Sequence, residues 1–308
     1  MAAITSANVA DAIVKLVAAD ALPALVGNLV MGNLVNRSYE ADLANQGDTV
    51  NIPIPPTMAA NNIAEGGSVS TQNPSLGNAQ VVINTHAESS FQIPDVTRVL
   101  AHPDLLNMYM MPAIISLAER IEQDLTQLYL NLTANTAVGT ANTTITESVI
   151  DSAETTLFTA KVPDSLPKFL VLSGSTYSDA RQIQRFSEDK VSPEFASVIP
   201  TGIVGRLKNF YVMRSQYIQK VSTTTYNLAF ARDAFALVMR MLPKPLPNTG
   251  AVAEYATLGN FGMRVVLSYA PNTLAQQFTV DVLYGCGVLR NVYGVGVLRN
   301  VYGVPVLS

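Results

Sequence analysis

Side chains that could perform chemistry are few in this chain and lie far apart along it. There are two histidines, His86 and His102, and one cysteine, Cys286. Neither histidine has a cysteine or a second histidine at metal-ligand spacing, so both are interpreted as solvated surface groups. A nucleophilic thiol needs a histidine partner that the sequence does not place near Cys286, so a passive buried cysteine is the favoured interpretation.

Two carboxylates, Glu119 and Glu122, fall on one face of a predicted helix and could form an acid/base pair or hold a metal ion. Helix surfaces carry such pairs routinely, so simple solvation is expected instead. Gly294 and Gly296 lack the third glycine and the following helix of a phosphate-binding loop. The sequence therefore predicts a protein that is not an enzyme and has neither a cofactor nor a metal site.

Charge is divided unevenly along the chain. Residues 1–160 hold four basic and fifteen acidic residues, a net charge of −11, whereas residues 161–308 hold fifteen basic and eight acidic residues, a net charge of +7. Bipolar molecules attract copies of themselves, and such contacts build rings or shells when they close. Self-assembly is the first hypothesis. The alternative is that the uneven distribution of charge arose by chance and that basic and acidic residues mix on one surface of the folded chain.

Composition supports an ordered protein with a partly covered surface. Of 308 residues, 48% are hydrophobic and 14% are charged. The charged fraction is well below the usual quarter, which suggests that other subunits cover much of the surface. The longest apolar stretch, residues 21–35, is too short for a membrane span and is interrupted by Pro23, Asn28 and Asn33, so no membrane association is expected.

The first predicted element of secondary structure is an amino-terminal arm. Residues 7–22 repeat Val9, Ile13, Leu16 and Val17 at helical spacing, which predicts an amphipathic helix. This helix either packs on its own subunit or lies on a neighbouring one.

A long hairpin is predicted next. Val50, Ile52 and Ile54 alternate with Thr49, Asn51 and Pro53, as in a half-buried strand. A returning strand over residues 80–93 alternates in the same way, and the tip at residues 56–78 is rich in Asn, Gly, Ser and Thr. Thirteen residues at about 3.3 Å each would project on the order of 40 Å, and such a ribbon is marginal alone, so we expect it to rest on another molecule. The residues of the returning strand expected on one face are Val81, Ile83, Thr85, Ala87, Ser89, Phe91 and Ile93.

A long helix is predicted to begin at Asp104, with Pro112 as a kink and with Glu119, Arg120, Glu122 and Asp124 on the wet side. Its apolar stripe is expected to consist of Leu105, Met108, Pro112, Ile115, Ala118, Ile121, Leu125, Leu128 and Leu132. Residues 133–146 have loop character and are the candidate subdomain boundary. The remainder indicates mixed α/β structure, with strands at 169–172, 211–213 and 226–230, helices at 176–186 and 232–241, and paired closing strands at 263–269 and 278–283.

The chain also contains a perfect nine-residue repeat. Residues 287–295, GVLRNVYGV, are copied identically at residues 296–304. Because nine is odd, a continuous strand would turn the second copy to the opposite sheet face. Only one copy is therefore expected to be structural.

Several segments resemble tailed-bacteriophage major capsid (coat) proteins. They open with LVNRSYE at residues 34–40 and GDTVNIP at residues 47–53. Further matches follow in chain order: LAERIEQDL at 117–125, FARDAFAL at 230–237, and GMRVV at 262–266 leading to VDVLYG at 280–285. Each match is short, but together they span most of the chain.

This resemblance implies an α+β chain with the Hong Kong 97-type capsid fold, which tiles into pentamers and hexamers around double-stranded DNA. The parts expected from it are an N-terminal arm at 1–46, an extended hairpin loop at 47–95, a peripheral domain with a spine helix at 96–145, an axial α/β domain at 146–262, and C-terminal strands returning to the peripheral domain at 263–308.

The sequence departs from some relatives in two ways. Residues 186–210 leave no room for the large domain that some of them insert in the axial region. Others join a hairpin lysine to a neighbouring asparagine, but no lysine occurs between Lys15 and Lys161, so this hairpin cannot form that bond.

The resemblance implies a structural protein that self-assembles into an icosahedral shell. Expected partners are other copies of the chain, scaffolding and portal proteins, and packaged double-stranded DNA contacted without sequence specificity. The expected location is the virion capsid, after assembly in the host cytoplasm. The alternatives are an encapsulin-like compartment shell and a soluble enzyme or binding module.

The hairpin is expected to dock on basic residues of an adjacent subunit, with apolar burial supplying most of the energy. The reason is that residues 48–95 contain only four charged residues, all of them acidic. The assembly interface is expected to include Arg37, Tyr39, Glu40, Asp48, Glu65, Glu88 and Phe91.

Overall fold

Helices and sheets both contribute to the structure, a computed structural model. It describes residues 25, 29–39, 49–56, 58–96, 105–140, 143–180, 203–221, 224–246, 250–258 and 261–300. Its helices are α1 Met31–Leu34, α2 Leu105–Gln127, α3 Glu147–Thr159 and α4 Gly174–Ala180. Its strands are β1 Thr49–Ile54, β2 Gly77–Val82, β3 Thr85–Pro94, β4 Lys168–Leu172, β5 Ile203–Leu207, β6 Phe210–Arg214, β7 Lys220–Val221, β8 Thr224–Ala231, β9 Phe235–Arg240, β10 Ala251–Leu258, β11 Phe261–Ala270, β12 Ala275–Val288 and β13 Gly294–Asn300.

The described strands form three sheets. Strands β1 and β2 make a two-stranded ribbon, and a five-stranded sheet has the order β10-β11-β12-β3, with β9 also paired to β12. A six-stranded sheet has the order β13-β8-β4-β6-β5, with β7 also paired to β8. The pair β4 and β6 is parallel and the other pairs are antiparallel. Strand β12 therefore pairs with three strands, β11, β3 and β9.

Helix α2 packs along one face of the five-stranded sheet. The ring of Phe91 on β3 stacks on Phe278 of β12 at 5.5 Å and contacts Tyr109 of α2 at 5.7 Å. Further along, the hydroxyl of Tyr284 donates to Asp124 at 2.5 Å. The side chains that α2 buries include Met110, Ala113, Ile114, Leu117, Ala118, Ile121, Leu125 and Leu128.

The second half of the predicted apolar stripe is buried in the core, whereas part of its first half is exposed. Ala118, Ile121, Leu125 and Leu128 are buried, but Met108 and Pro112 are exposed. The amino-terminal half carries apolar residues on two faces, and spacing alone does not show which face the sheet covers.

The hairpin is shorter than predicted. β1 and β2 pair over six residues, from Thr49 opposite Val82 to Ile54 opposite Gly77. The returning run breaks after Val82, because β3 then pairs with β12 rather than with β1. The prediction of one continuous ribbon thirteen residues long is therefore wrong. The alternation of faces is confirmed at the break, where Val81 and Ile83 are buried and Val82 is exposed.

The predicted helix at 232–241 is also wrong. Residues Arg232–Ala234 form one 3-10 turn and Phe235–Arg240 form strand β9, in which five consecutive residues from Phe235 are buried. A short continuous apolar run fits a strand covered on both faces as well as a buried helix. Pairing of β9 with β12 decides between them.

Several other predicted elements are confirmed. The strands at 169–172, 211–213 and 226–230 lie within β4, β6 and β8. The closing strands pair as β11 and β12. The helix predicted at 176–186 is found as α4, and its residues beyond Ala180, like the arm helix at 7–22, lie outside the described residues.

The repeat does not form one continuous strand. In the first copy, β12 ends at Val288, a 3-10 turn follows at Asn291–Tyr293, and β13 begins at Gly294. The first five residues of the second copy continue β13, which pairs with β8 as far as Asn300 opposite Thr224. The turn lies inside the first copy, and the junction between the copies lies inside β13. Equivalent residues of the two copies therefore do not share one described strand, and the expected reversal of faces does not arise.

Pairing crosses the expected domain boundaries. Strands β9 and β10, from the predicted axial domain, pair with β12 and β11, whereas β13 joins the six-stranded sheet. The domain limits stay a prediction.

Candidate assembly surface

The tip loop, residues 58–76 between β1 and β2, projects its side chains into solvent. All but one of its residues are exposed. Four large apolar residues of this loop have relative exposures between 55% and 82%: Met58, Ile63, Val69 and Leu76. Sequence reasoning treated this tip as polar and missed these four, although they are visible as isolated apolar residues in a run of Asn, Gly, Ser and Thr. An exposed apolar group of this kind is typical of an interaction site.

The tip loop has internal order. Gly66 adopts a positive φ of 78°, and the N–H of Gly67 donates to the carbonyl of Ala64 at 2.9 Å, which closes a tight turn. Across the loop, the backbone N–H of Ala59 donates to the side-chain oxygen of Gln72 at 3.0 Å, and the Gln72 amide returns a hydrogen bond to the Ala59 carbonyl. The apolar side chains are thus presented on a shaped loop.

The base of the hairpin is held by its own subunit. A second apolar cluster joins Val50, Ile52, Ala79, Val81 and Ile83 of the hairpin to Ala236, Val238 and Leu289 of the body. The ribbon therefore does not depend on another molecule at its base, and only the tip loop is unsupported within the described residues.

The predicted interface residues lie in separate regions. Arg37 is half-buried, and Tyr39 packs against the second apolar cluster at the hairpin base. Glu65 is exposed in the tip loop. Glu88 and Phe91 lie on opposite faces of β3, and Phe91 packs inside the subunit. Glu40 and Asp48 lie outside the described residues, and an assembly role for all seven stays a prediction.

Exposed basic side chains are available elsewhere on the described surface. In the basic half of the chain they are Lys161, Arg206, Arg214, Lys220, Arg232 and Lys244, of which Lys244 pairs with Glu254 at 2.9 Å. Their charge is opposite to that of Glu65, which is the one charged residue of the tip loop.

The carboxylate pair on α2 is not a solvated pair, contrary to expectation. Glu122 is fully buried and accepts hydrogen bonds from the backbone N–H groups of Met31 at 3.1 Å and Gly32 at 3.0 Å. Burial raises the pKa of Glu122, and these hydrogen bonds oppose that rise. Glu119 instead accepts a hydrogen bond from the hydroxyl of Tyr217 at 2.8 Å, and burial together with this bond raises the pKa of Tyr217 to about 12. The two carboxylates thus have separate structural partners.

His86 is half-exposed and paired. Its Nε2 lies 3.0 Å from Oδ2 of Asp281. The same carboxylate accepts a hydrogen bond from Nε of Arg264 at 3.0 Å. Asp281 is 3% exposed, so Arg264 and His86 satisfy a carboxylate that would otherwise be buried without compensation. His102 lies outside the described residues.

Cys286 is partly buried on β12. Burial, with a smaller contribution from Asp124, raises the pKa of its thiol to about 11. A thiol with a raised pKa is a weak nucleophile at neutral pH. Among the described residues, no group of three or more His, Cys, Asp and Glu side chains could hold a metal ion. Of the helices described, none combines the length and the apolar character that crossing a membrane requires.

Comparisons of sequence find no matching family model and no matching curated protein. Comparison of the fold finds solved structures that match most of the chain. A structure from Mycobacterium phage Che8 matches with a TM-score of 0.63 and 19% identity, over 87% of this chain and 90% of that one. The capsid of Ralstonia phage GP4 matches with a TM-score of 0.57 and 12% identity, over 89% of each chain.

The capsid of an empty GTA particle matches with a TM-score of 0.60 and 10% identity, over 89% of this chain and 90% of that one. Identity this low carries no argument about individual residues. Agreement over nearly the whole length of both chains confirms the predicted fold class at the level of the capsid fold. The chain has the fold of phage capsid proteins.

Proposed function

We propose that this chain is the major capsid protein of a tailed phage, and that its copies assemble into a closed icosahedral shell. The observation that carries the proposal is the match of its fold, along nearly its whole length, to the capsid chains of Ralstonia phage GP4 and of the GTA particle. A structural role agrees with the side-chain chemistry, because the buried carboxylates of the described residues are engaged by backbone amides, hydroxyls and cations of the same chain.

The tip loop is proposed as the contact between neighbouring copies. Burying a large apolar side chain contributes about 1.5–3 kcal/mol, so Met58, Ile63, Val69 and Leu76 together outweigh an exposed ion pair of about 1 kcal/mol or less. Apolar burial would therefore supply most of the affinity. Glu65 would select the orientation by approaching basic side chains of the adjacent copy.

The contents and partners of the shell belong to the same proposal. Packaged double-stranded DNA would be contacted without sequence specificity, because no recognition motif occurs in the sequence. Scaffolding and portal proteins would direct assembly in the host cytoplasm and the virion would contain the finished shell. The Hong Kong 97-type division into arm, hairpin loop, peripheral and axial domains is proposed on the same basis.

Electron microscopy of the purified chain tests this function directly. We expect closed particles of uniform size in negative stain, and nuclease-protected DNA inside particles recovered from infected cells. A chain that stays at 33.0 kDa in the ultracentrifuge at high concentration and forms no particles with scaffolding protein present would contradict the proposal. Uniform particles filled with a protein cargo instead of nucleic acid would favour the encapsulin-like alternative.

A further inference from the structure

We propose that the amino-terminal segment, residues 7–22, docks on an apolar surface of its own subunit formed by Met108, Met111, Pro112 and Ile115 of helix α2. This surface is called the α2 stripe below. The inference concerns the single subunit and does not depend on the proposed shell.

The α2 stripe lies on one side of the helix. Its members are spaced by three and four residues, which places them on a common face. Met108 is 66% exposed and Met111 is 42% exposed, whereas Met110 and Ile114, which point the other way, are buried in the core. In the part of the chain that the structure describes, the sheet covers one apolar face of α2, whereas Met108, Met111 and Pro112 on the other face are exposed and Ile115 is half-buried.

The same side of α2 is covered further along, first by Tyr217, whose hydroxyl bonds to Glu119, and then by the amino-terminal arm. Glu122, seven residues after Ile115, accepts the backbone N–H groups of Met31 and Gly32. Leu29, just before them, is buried in the main core. An arm that already lies against this side of the helix reaches the α2 stripe by continuing along it past Tyr217.

The direction of strand β12 relative to helix α2 gives a reference for the direction of the arm. Near the start of α2, Phe278 stacks on Phe91, which contacts Tyr109. Near its end, Tyr284 bonds to Asp124. Strand β12 and helix α2 therefore run in the same direction.

The arm also runs in this direction. The N–H of Asn36 donates to the carbonyl of Phe235 at 3.0 Å, and Phe235 pairs with Val288, four residues beyond Tyr284 on β12. Between Met31 and Asn36 the chain therefore moves toward the carboxyl end of α2. A segment that continued this line backward from Met31 would approach the α2 stripe.

The segment at 7–22 has the composition that the stripe requires. Val9, Ile13, Leu16 and Val17 form one apolar face when the segment is helical. A sixteen-residue helix is about 24 Å long and the stripe spans about 10 Å, so one helix can cover it. The segment ends close in sequence to the buried residue Leu25, which keeps its effective concentration at its own subunit high.

Methionine oxidation measures whether the stripe is covered. Met58 in the tip loop is 65% exposed, almost the same as Met108, so the two thioethers would react with hydrogen peroxide at similar rates if nothing covered either one. We expect Met108 in the unassembled full chain to be oxidised at least about tenfold more slowly than Met58, because docking would exclude the oxidant. Mass spectrometry of peptides gives both rates from one sample.

Two double variants of the full chain identify what covers Met108. Ile13→Asp with Leu16→Asp places charge on the apolar face of the segment and should raise the Met108 rate to that of Met58. Val14→Asp with Ala18→Asp adds the same charge to the opposite face and should leave Met108 protected. Buried Met110 reports whether each variant is folded.

Three results would overturn the inference. Oxidation of Met108 as fast as Met58 in the unchanged chain would show that the stripe is uncovered. Protection that survives Ile13→Asp with Leu16→Asp would show that something else covers it. Protection that disappears on dilution, at concentrations where the ultracentrifuge detects association, would assign the cover to a neighbouring copy.

Discussion

At the scale of single residues, Glu122 joins the amino-terminal arm to the long helix. Its carboxylate lies in the core with backbone amides as hydrogen-bond partners, at the start of the four-residue helix α1. A buried carboxylate without such donors would be strongly unfavourable. The residue therefore holds α1 against α2, and its effects should appear in folding.

Replacing Glu122 with alanine should destabilise the subunit. The N–H groups of Met31 and Gly32 would be left buried without an acceptor, at a cost of about 3 kcal/mol in the free energy of unfolding. Glu119→Ala is the matched control and should cost about 1 kcal/mol, since it removes one hydrogen bond from a half-exposed tyrosine. Denaturant unfolding of the unassembled chains measures both, and equal losses would contradict the structural role of Glu122.

The raised pKa of Glu122 predicts a dependence of stability on pH. The folded-state pKa lies above the unfolded value, so the folded chain retains a proton that the unfolded chain releases. The stabilisation is complete below the unfolded pKa of about 4.3 and is lost as pH rises through the folded value. The unchanged chain should therefore lose stability relative to Glu122→Gln over this interval. Denaturant unfolding at a series of pH values measures the difference, and a constant difference would exclude the titration.

At the scale of elements, the crossing of the hairpin over β12 explains why the returning strand breaks. A Cβ atom on Gly285 would lie 2.2 Å from the carbonyl oxygen of Val82, at the end of β2. The backbones of β2 and β12 thus approach closely where β2 ends and β3 begins. A side chain at position 285 would force them apart.

Gly285→Ala should therefore disrupt the crossing, at a cost of about 3 kcal/mol or more, because the atom that it meets belongs to backbone and cannot rotate away. Gly296→Ala is the matched control: its Cβ would lie 3.5 Å from Ala137, an ordinary contact, and the change should stay within about 0.5 kcal/mol. Thermal unfolding of both variants tests this, and a neutral Gly285→Ala would argue against the close approach.

The repeat gives a second prediction about elements: deletion of residues 296–304 should leave the fold intact. In the shortened chain, Val295 is followed directly by Pro305, Val306 and Leu307. Proline would take the place of Gly296, whose carbonyl accepts the N–H of Val138 at 2.9 Å and so points away from β8. The N–H and the carbonyl of one strand residue point to the same edge, so the Gly296 N–H also points away from β8. Proline at this position therefore removes no hydrogen bond between β13 and β8.

Two proline variants of the full chain examine this reasoning separately from the deletion. Gly296→Pro should retain the thermal midpoint, whereas Val297→Pro should lower it by removing a donor to β8. Loss of solubility in the deletion variant would show that both copies are needed.

At the scale of the whole molecule, charge and shape favour contacts between copies. The tip loop extends four apolar side chains and a single acidic one, and the exposed basic side chains named above come from the second half of the chain. Opposite charge steers encounter more than it strengthens the final contact. The unsupported tip is thus where a change of charge should affect assembly most.

Charge reversal by Glu65→Lys should slow particle formation and reduce its sensitivity to salt, because attraction to basic side chains would be replaced by repulsion. Glu154→Lys makes the same change of net charge on helix α3 and should assemble normally. Light scattering during assembly, with negative stain of the products, compares the two. Normal shells at a normal rate from Glu65→Lys would refute docking through this residue.

Elements whose signal is local could be predicted from the order of the amino acids. Alternation predicted the buried and exposed faces of β1 and β2, and helical spacing predicted the second half of α2, because these patterns follow from backbone geometry. The resemblance in short segments, such as residues 34–40 and 117–125, was sufficient to predict the capsid fold.

Tertiary structure decided the features that depend on distant partners. Phe235–Arg240 is a strand because β12 pairs with it, and Glu122 is buried because the arm covers it. The returning strand breaks because β12 takes β3 as a partner. The exposed face of α2 likewise depends on which side the sheet occupies. In each case the deciding contact joins residues far apart in sequence, whereas local periodicity reports only that an apolar surface exists.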